Sequence, residues 1–583
     1  MNRRMKYLFL VTAALLFMAT GADAQNSADS LQSGHSENVT IYGTSRPVIR
    51  QAFQKYWQPT DYKINIPSGT GSALSLPGAV PTKITLQTMK PEPVDTYVPL
   101  ENWNNLVRGG FGSRMTPYAE LFHSQGKEDS YRWNVHLYHF SSFLNIKNYL
   151  PSPHSTTLAE TSFKKFFPYH VLSLEAGYRI NTLRYYGYNT LGDTLTYNKN
   201  NDQLKQLYQL GSASVSFGDT YRNFDKLHYQ ITAKGYYFGD RFGMDEWHAD
   251  ARFDVHKAFE VTNVFNHQQL GVEGNYSFYR EKNTYQTRRD NFLSLLPYFD
   301  ARYGIFSLRA GVHVEWLQAL GKKLYAYPFL NVRMNIIPEA FSLFAGVDGG
   351  LKKNSYYSLV TANPFLYSFD NSYQWENDQF SVHAGFNGNF ARRLGFEMEA
   401  GVKYFKNKAF FDYVWSNTYR IPASDSVMRF VKNAFYVSYA NGNVFYISGG
   451  LSYENAPNVK VWLTGKYQEF QLDNGMKPLY EPDLEVQLGS SVRVTKKASG
   501  WIQAAYVGER WAAHRFLSGG SVVSNPYYRL PAYVDVNLGG NYRFDKQLSG
   551  FVKVTNLLNK QYWQFNEYPV AGIEVMLGAS YRF

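Results

Sequence analysis

The sequence contains no cysteine among its 583 residues. This absence excludes a disulfide framework, a thiolate metal site and a cysteine nucleophile. The sequence also lacks any run of about 18 or more apolar residues, the length that a membrane-spanning helix requires. Proteins built from transmembrane helices and small secreted proteins held together by disulfides are therefore excluded.

The first 24 residues have the pattern of a secretory signal peptide. Basic residues at positions 3, 4 and 6 precede an apolar stretch, and Ala22-Asp23-Ala24 provides a small-residue cleavage site. We expect the mature chain to start at Gln25 and to be exported. The formal net charge of +12 then points to anionic lipid headgroups or anionic solutes as partners and not to nucleic acid, which an exported protein rarely meets.

Residues 25–104 differ in composition from the rest of the chain. They begin with a polar stretch and continue with segments rich in proline, glycine, serine and threonine. Such a composition predicts extended segments and turns, and not a helical domain. We expect this part to be a separate N-terminal segment of the mature chain.

From Asn105 to Phe583 one pattern repeats, in which apolar and polar residues alternate over segments of about 9 to 14 residues. In the last segment Val575, Leu577 and Tyr581 share one face, while Glu574 and Arg582 lie on the other. The pattern predicts a strand with one apolar and one polar face. Leu577 is expected to face lipid, and Gly578 to face the lumen, where a change to serine should be mild.

The number of such segments predicts an all-β fold, a transmembrane antiparallel barrel of about 22 strands, within a range of about 20 to 24. A sandwich has fewer strands per domain. Short connections alternate with long ones, as in an outer-membrane barrel with short periplasmic turns and long external loops. We therefore expect an integral outer-membrane protein whose last strand pairs with the first.

The C-terminal stretches "VKVTNLLNKQYW" and "YPVAGIEVMLGASYRF" resemble the end of the barrel in TonB-dependent receptors. The positions that match the family pattern are Asn556, Leu557, Leu558, Asn559, Lys560, Tyr562, Pro569, Gly572 and Phe583. The resemblance implies an outer-membrane receptor barrel that takes up a solute with energy from TonB. We expect the family's N-terminal plug to be reduced or missing, because residues 25–104 are shorter than the usual plug. "NVTIYGTSRP" (38–47) resembles the start of such a plug, and "VRGGFGSR" (107–114) resembles a plug motif although a barrel hairpin follows it.

The polar faces of the predicted strands carry charges that would line the lumen. These charges would form a network of salt bridges in the wall, or a path for a solute, or both. The candidate lumen-lining residues are Glu397, Glu399, Lys403, Glu485, Arg493, Asp535, Arg543, Glu574 and Arg582. The terminal aromatics Tyr581 and Phe583 resemble the signal by which the barrel-assembly machinery recognises its substrates.

No catalytic, cofactor or metal site is predicted. His136 and His139 share a strand but face opposite sides, and the serines after them lie at the rim. The acidic stretch "SFDNSYQWENDQF" (368–380) lacks the spacing of an EF-hand and reads as a solvated loop. The aromatics of "KNKAFFDYVWSNTY" (406–419) would stack on a ligand or, as we favour for most of them, belong to the interfacial girdle.

Two functions follow from these patterns. The first is uptake of a solute by a receptor-like barrel, with TonB as a partner. The alternative is a platform in the outer membrane that binds partner proteins, such as a surface lipoprotein or an assembly factor. An outer-membrane enzyme is not expected, because no catalytic set is visible. The short N-terminal segment favours the platform, and the C-terminal resemblance favours uptake.

Deletion of Phe583 should lower the amount of assembled barrel. The closing strand ends on this residue, and the terminal aromatic is the expected assembly signal. Assembly is measured as heat-modifiable mobility on gels of unboiled membranes. An unchanged yield and mobility of the truncated chain would contradict this role.

Overall fold

The computed structural model describes most of the chain after residue 102. The described residues are 103–127, 130–187, 205–220, 226–259, 265, 267–283, 286–319, 321–338, 340–367, 373–390, 393–416, 434–455, 458–513, 515–518, 521–524 and 527–583. The N-terminal segment, with its possible plug and the stretch 38–47, lies outside these residues, as does the signal peptide.

The described chain folds into a closed antiparallel barrel of 22 strands. Four further short strands, β20–β23, lie in one external connection, and two, β26 and β27, lie in another. The strands are β1 (Asn105–Gly112), β2 (Thr116–Lys127), β3 (Tyr131–Ser142), β4 (His154–Phe166), β5 (His170–Arg184), β6 (Lys205–Asp219), β7 (Leu227–Asp240), β8 (Asp245–Ala258), β9 (His267–Lys282), β10 (Thr287–Tyr303), β11 (Phe306–Gln318), β12 (Lys322–Ile337), β13 (Phe341–Lys353), β14 (Trp375–Phe390), β15 (Leu394–Ser416), β16 (Ala434–Asn455), β17 (Val459–Leu472), β18 (Leu484–Arg493), β19 (Ala498–Val507), β20 (Arg510–Ala513), β21 (Arg515–Ser518), β22 (Ser521–Ser524), β23 (Tyr527–Leu530), β24 (Tyr533–Arg543), β25 (Leu548–Thr555), β26 (Trp563–Phe565), β27 (Tyr568–Pro569) and β28 (Glu574–Arg582).

The ring closes where β28 pairs with β1. The antiparallel register runs from Leu106 opposite Arg582 to Gly112 opposite Met576. At the end of the seam the backbone N–H of Asn105 donates to the carbonyl of Phe583 at 3.0 Å, and the reverse bond is 3.2 Å long. The predictions of about 22 strands and of a closing strand paired with the first are confirmed.

The two faces of each strand differ in the way the sequence predicts. On β28 the side chain of Leu577 is 62% exposed on the outer face, whereas Met576 on the other face is buried. The outer face carries apolar residues around the ring because it meets lipid. The chain is therefore an integral outer-membrane barrel, as predicted. No helix in the described part of the chain is long and apolar enough to span a membrane.

The connections at the end of the barrel that holds the chain terminus are all short, as the sequence predicts for the periplasmic side. The opposite, external end carries the long loops. Its connections are nevertheless not all long: residues 113–115, 241–244, 283–286 and 319–321 are short links between strands. Three of these four follow one another between β7 and β12, so the external rim is low on that side.

The stretch "VRGGFGSR" belongs to the barrel and not to a plug. Its residues up to Gly112 lie in β1, which pairs with β2 from Asn105 opposite His123 to Gly112 opposite Thr116. The last two residues, Ser113 and Arg114, begin the external turn. The plug interpretation of this motif is therefore wrong, and the hairpin interpretation of the residues after it is confirmed.

An aromatic ring lies across the inner side of the seam. A Cβ atom added to Gly578 would be 2.2 Å from the ring of Phe551, and one added to Gly110 would be 3.1 Å from the same ring. Phe551 also makes an edge contact with Tyr118, at 6.0 Å between ring centroids. The ring thus covers both glycines and joins β25, β28, β1 and β2. Gly578 faces the lumen as predicted, but the expectation that serine would be mild there is wrong.

Gly578→Ser should lower the stability of the barrel, by about 1 to 3 kcal/mol, because the added Cβ forces the Phe551 ring to move. The added atom would also meet the carbonyl oxygen of Gly109 at 2.4 Å. Gly109→Ser is the matched control, since nothing lies within 4 Å of a Cβ there. The temperature at which the barrel loses its compact mobility on gels should fall for Gly578→Ser alone. Equal temperatures for both variants would contradict the packing of Phe551 at the seam.

Candidate functional site

The structure places all nine predicted lumen-lining residues on the inward face of the barrel. Their positions in the strand register alternate with those of the exposed apolar residues. Several of them have ordered partners: Lys403 forms an ion pair with Asp378, Glu399 accepts a hydrogen bond of 2.7 Å from the hydroxyl of Tyr446, and Asp535 accepts one of 2.8 Å from the side-chain amide of Asn537. These contacts agree with a charged wall network, while a solute path along it remains a proposal.

A second polar group on the inward wall lies beside the seam. Glu120 accepts from the guanidinium of Arg108 at 3.4 Å and lies 3.0 Å from His136 Nε2, and the hydroxyl of Tyr118 also donates to it. Glu120 is buried, so these partners compensate for the loss of water around its charge. The sequence shows each residue in a strand but not the register that brings them together.

External connections from several parts of the ring meet above the lumen. We call them the lid, defined as residues 185–187, 354–367, 407–413, 434–441, 473–483, 508–513 and 556–573. A ring of 22 strands is roughly 40 Å across. Connections that start on opposite sides of such a ring can touch only by reaching over its opening, so the lid lies across the external mouth.

Two tyrosines after β5 tie the lid together. The hydroxyl of Tyr185 donates to the carbonyl of Leu366, in the connection after β13, at 2.8 Å. The hydroxyl of Tyr186 donates to the carbonyl of Pro569, in the connection after β25, at 2.9 Å. Because these three connections start far apart on the ring, the two bonds span the opening.

The centre of the lid is aromatic. Phe365 stacks on Tyr568 with 3.7 Å between centroids, and Phe435 lies 5.5 Å from Phe565. Tyr413 is 1% exposed and Phe435 is 0% exposed. Burying aromatic side chains of this size stabilises the closed arrangement, by about 1.5 to 3 kcal/mol for each.

The long hairpin of β15 and β16 supplies the middle of the lid. Its register shifts between Phe405 and Lys408, and beside this bulge Asn407 has a φ of 56° and Gly442 a φ of 157°. A bulge bends the strand that contains it, so the outer half of the hairpin departs from the line of the wall. A Cβ at position 442 would also meet the carbonyl oxygen of Gln471 at 2.2 Å.

Two sequence interpretations are corrected here. Phe410 and Tyr413 are each 1% exposed inside the lid, so the girdle interpretation of these aromatics is wrong. Glu376 and Asp378 belong to strand β14 and not to a solvated loop. Asp370 and Asn371, the earlier oxygen-bearing positions of that stretch, lie outside the described residues.

Two asparagines of the C-terminal motif fasten the external connection 556–573. The side-chain amide of Asn556 donates to the carbonyls of Lys560, at 2.8 Å, and Ala571, at 2.7 Å. The Asn559 side chain accepts from the backbone N–H of Ile573 at 2.9 Å. Both asparagines have positive φ, 47° and 51°, a conformation that asparagine tolerates well. The motif therefore closes this part of the lid at its base.

Arg510 holds the same connection from the side. Its guanidinium donates to the carbonyls of Gln564, at 2.8 Å, and Trp563, at 2.7 Å, and its carbon Cζ lies 5.0 Å from the ring centroid of Tyr533. Nearby, burial raises the pKa of the Glu567 carboxyl. Because this pKa is raised, the folded lid is more stable when Glu567 is neutral. This stabilising contribution of the neutral carboxyl is lost as the pH rises through the folded-state pKa.

A short helix, α1 (Tyr356–Ala362), extends part of the lid to the wall formed by β7 and β8. The Ser355 side chain caps its first turn by accepting from the N–H of Ser358. The hydroxyl of Tyr356 donates to Asp240 at 2.7 Å, and the N–H of Tyr357 donates to Glu246 at 3.3 Å. The helix thus connects β13 with β7 and β8.

A buried ion cluster fixes the start of this helical connection. Lys353 Nζ lies 3.0 Å from Glu281 and 2.8 Å from Asp290. Asp290 also accepts from Trp375 Nε1 at 2.8 Å and pairs with Arg288 at 3.0 Å. Lys353, Glu281 and Asp290 are almost fully buried. Removing one member of such a cluster leaves an uncompensated buried charge.

One hydroxyl–imidazole pair forms at the external rim. Ser141 Oγ lies 2.8 Å from His139 Nε2, and the other ring nitrogen lies 2.8 Å from the Thr157 hydroxyl. A catalytic triad requires a carboxylate in the position that Thr157 occupies. In the described part of the chain, no group of three or more histidine or acidic side chains is placed to hold a metal.

Lys353→Met should loosen α1, because Glu281 then has no ammonium partner in its buried position. The local cost is about 3 to 5 kcal/mol. Hydrogen exchange of the amides of residues 356–362 should become faster. Lys403→Met is the matched control: its ion pair is partly exposed and is worth about 0 to 1 kcal/mol. Equal exchange in both variants would contradict the role of the cluster.

No protein-family model and no curated protein matches the sequence. The fold, however, is similar to solved outer-membrane receptors. The ferripyoverdine receptor of the outer membrane of Pseudomonas aeruginosa matches with a TM-score of 0.59 and 14% identity, over 82% of this chain and 72% of the receptor. The siderophore receptor PirA from Acinetobacter baumannii gives a TM-score of 0.61 and 10% identity, over 82% and 80%.

The ferric-catecholate import receptor Fiu from E. coli gives a TM-score of 0.59 and 11% identity, over 83% of this chain and 82% of the receptor. Identities this low establish a shared fold. The resemblance of the C-terminal motif to TonB-dependent receptors is therefore confirmed at the level of the fold. The chain has the barrel fold of the outer-membrane siderophore receptors.

Proposed function

We propose that this protein takes up a solute across the outer membrane as a gated receptor-type barrel. The observation that carries the proposal is the lid, whose buried aromatic cluster lies across the external mouth of a wide barrel. A pore for passive diffusion needs an open mouth. A mouth closed by packed side chains instead requires a binding event to open it, because a ligand shifts an equilibrium only by its differential affinity for the two states.

The class of solute is proposed from the structural neighbours. Their names describe receptors for ferripyoverdine, siderophores and ferric catecholates. We therefore place iron-bound siderophores first among the solutes to be tested. The charges of both signs on the inward wall, including Glu397, Glu485, Asp535 and Arg543, would contact the solute below the lid.

We assign two roles to the N-terminal segment, which are to block the lumen and to provide the contact with TonB that would supply energy. Residues 25–104 would act as a reduced plug, and residues 38–47 would form its start, near the segment that TonB grips, as the resemblance to the receptor family implies. The physical reason for a plug is the width of the ring, because a barrel of 22 strands leaves a lumen that its wall side chains do not fill. Both assignments are proposals from the sequence.

The lid can be locked to test the proposal. Leu366 and Phe435 are partners in a parallel bridge between the connection after β13 and strand β16. Bridged residues in adjacent strands lie about 5 Å apart, which a disulfide can span. Since the chain has no cysteine, Leu366→Cys with Phe435→Cys introduces a single possible intramolecular disulfide.

Cells without other siderophore receptors should accumulate iron from a siderophore panel when they express the wild-type chain. The oxidised double-cysteine protein should lose this uptake, and a reducing agent should restore it. The single variant Leu366→Cys controls for the loss of packing. If no siderophore supports uptake by the wild-type chain although it is assembled, the siderophore assignment fails. If uptake occurs and the disulfide does not change it, the proposal that the lid gates uptake fails. A chain that transports none of the solutes would favour the alternative of a platform that binds partner proteins.

A further inference from the structure

One row of outward-facing residues crosses four strands near the external end of the barrel. Tyr237 on β7 is opposite Trp247 on β8, Trp247 is opposite Arg280 on β9, and Arg280 is opposite Arg289 on β10. The row therefore contains two aromatic residues followed by two arginines, all on the face that meets the membrane.

The two arginines form a like-charge pair. They are direct cross-strand partners, an arrangement that is destabilising by itself. In the part of the chain that the structure describes, neither guanidinium forms an ion pair, and the one carboxylate that acts on Arg280 electrostatically is that of Asp245 on β8. Lys282 adds a third positive charge one step further out, where it is opposite Asp245. Three cations thus face outward with a single carboxylate beside them.

The depth of this row is indicated by its neighbours. Tyr237 and Trp247 pack at 4.9 Å between ring centroids, and Trp247 is 48% exposed on the outer face. Tyrosine and tryptophan concentrate at the level of the lipid headgroups. Below the row the outward residues of β9 include Val272 and Leu270, which are exposed and apolar. The arginine pair therefore lies at the headgroup level of the external leaflet.

The external rim leaves this surface open. The connections next to it, residues 241–244 and 283–286, are among the short external links. A second outward like-charge pair, Arg184 opposite Lys205, joins β5 and β6 on the same side of the ring. Nothing in the described connections covers Lys282 and Arg289, which are exposed.

We propose that Arg280, Lys282 and Arg289 form a binding site for the phosphate of a lipid headgroup in the external leaflet. Two guanidinium groups side by side can each donate two parallel hydrogen bonds to phosphate oxygens. A bound phosphate would also neutralise the repulsion within the pair. The aromatic half of the row would contact the sugar or acyl part of the same lipid. This site is independent of the proposed uptake, since it faces outward.

The test uses the purified full chain in detergent, with lipid A as the probe. Native mass spectrometry should show lipid A retained on the wild-type barrel. The double variant Arg280→Gln with Arg289→Gln should retain lipid A about tenfold more weakly. A charge-assisted hydrogen bond contributes about one to two factors of ten to an affinity. Monophosphorylated lipid A and phosphatidylcholine complete the series and should be retained progressively less.

The matched control also removes two positive charges, but at another place near the external end of the barrel. Lys322→Gln with Lys352→Gln alters two exposed bases at the external ends of β12 and β13 and should leave retention unchanged. Heat-modifiable mobility shows that each variant is folded. Equal retention by wild type and the arginine variant would overturn the site. Competition by inorganic phosphate at the same concentration as lipid A would also overturn it, because the site would then take free phosphate and not a lipid.

Discussion

Backbone hydrogen bonding in the membrane is the constraint on which the rest of this structure depends. Hydrocarbon offers no partner to a backbone N–H or C=O group, so a membrane-spanning sheet has no unpaired edges. The pairing of β28 with β1 meets this requirement, and the Phe551 ring strengthens it from the inside. Every other feature, including the outward apolar face and the polar lumen, follows from the closure of the ring.

Closure creates a second problem, which the external connections solve. A ring of this size has an opening too wide to be filled by wall side chains. The bulge beside Asn407 bends the β15–β16 hairpin away from the wall, and the asparagines of the C-terminal motif fix another connection beneath it. Aromatic packing around Phe435 then joins parts of the chain that start on opposite sides of the ring. The lid is thus a small hydrophobic core assembled outside the membrane.

The sequence predicted the features that follow from local periodicity. The alternation of "GIEVMLGASYRF" predicted which side of β28 faces lipid, and the C-terminal motif predicted the closing strand. Periodicity cannot predict long-range contacts, so the stacking of Phe365 on Tyr568 and the cluster around Lys353 were missed. The same limit explains the error at Gly578, because the Phe551 ring that covers it comes from a different strand. It also explains the girdle interpretation of Tyr413, whose partners lie far away in sequence.

The lid is the central claim, and the distance between two of its parts tests it most directly. Ala362 and Gln564 are exposed and lie three residues and one residue from Phe365 and Phe565, whose ring centroids are 6.3 Å apart, although their connections start on different sides of the ring. Spin labels at these two positions, in a chain that otherwise has no cysteine, report their separation in the folded protein. The structure predicts a narrow distribution well below the width of the barrel. A broad distribution centred near that width, roughly 40 Å, would contradict the lid.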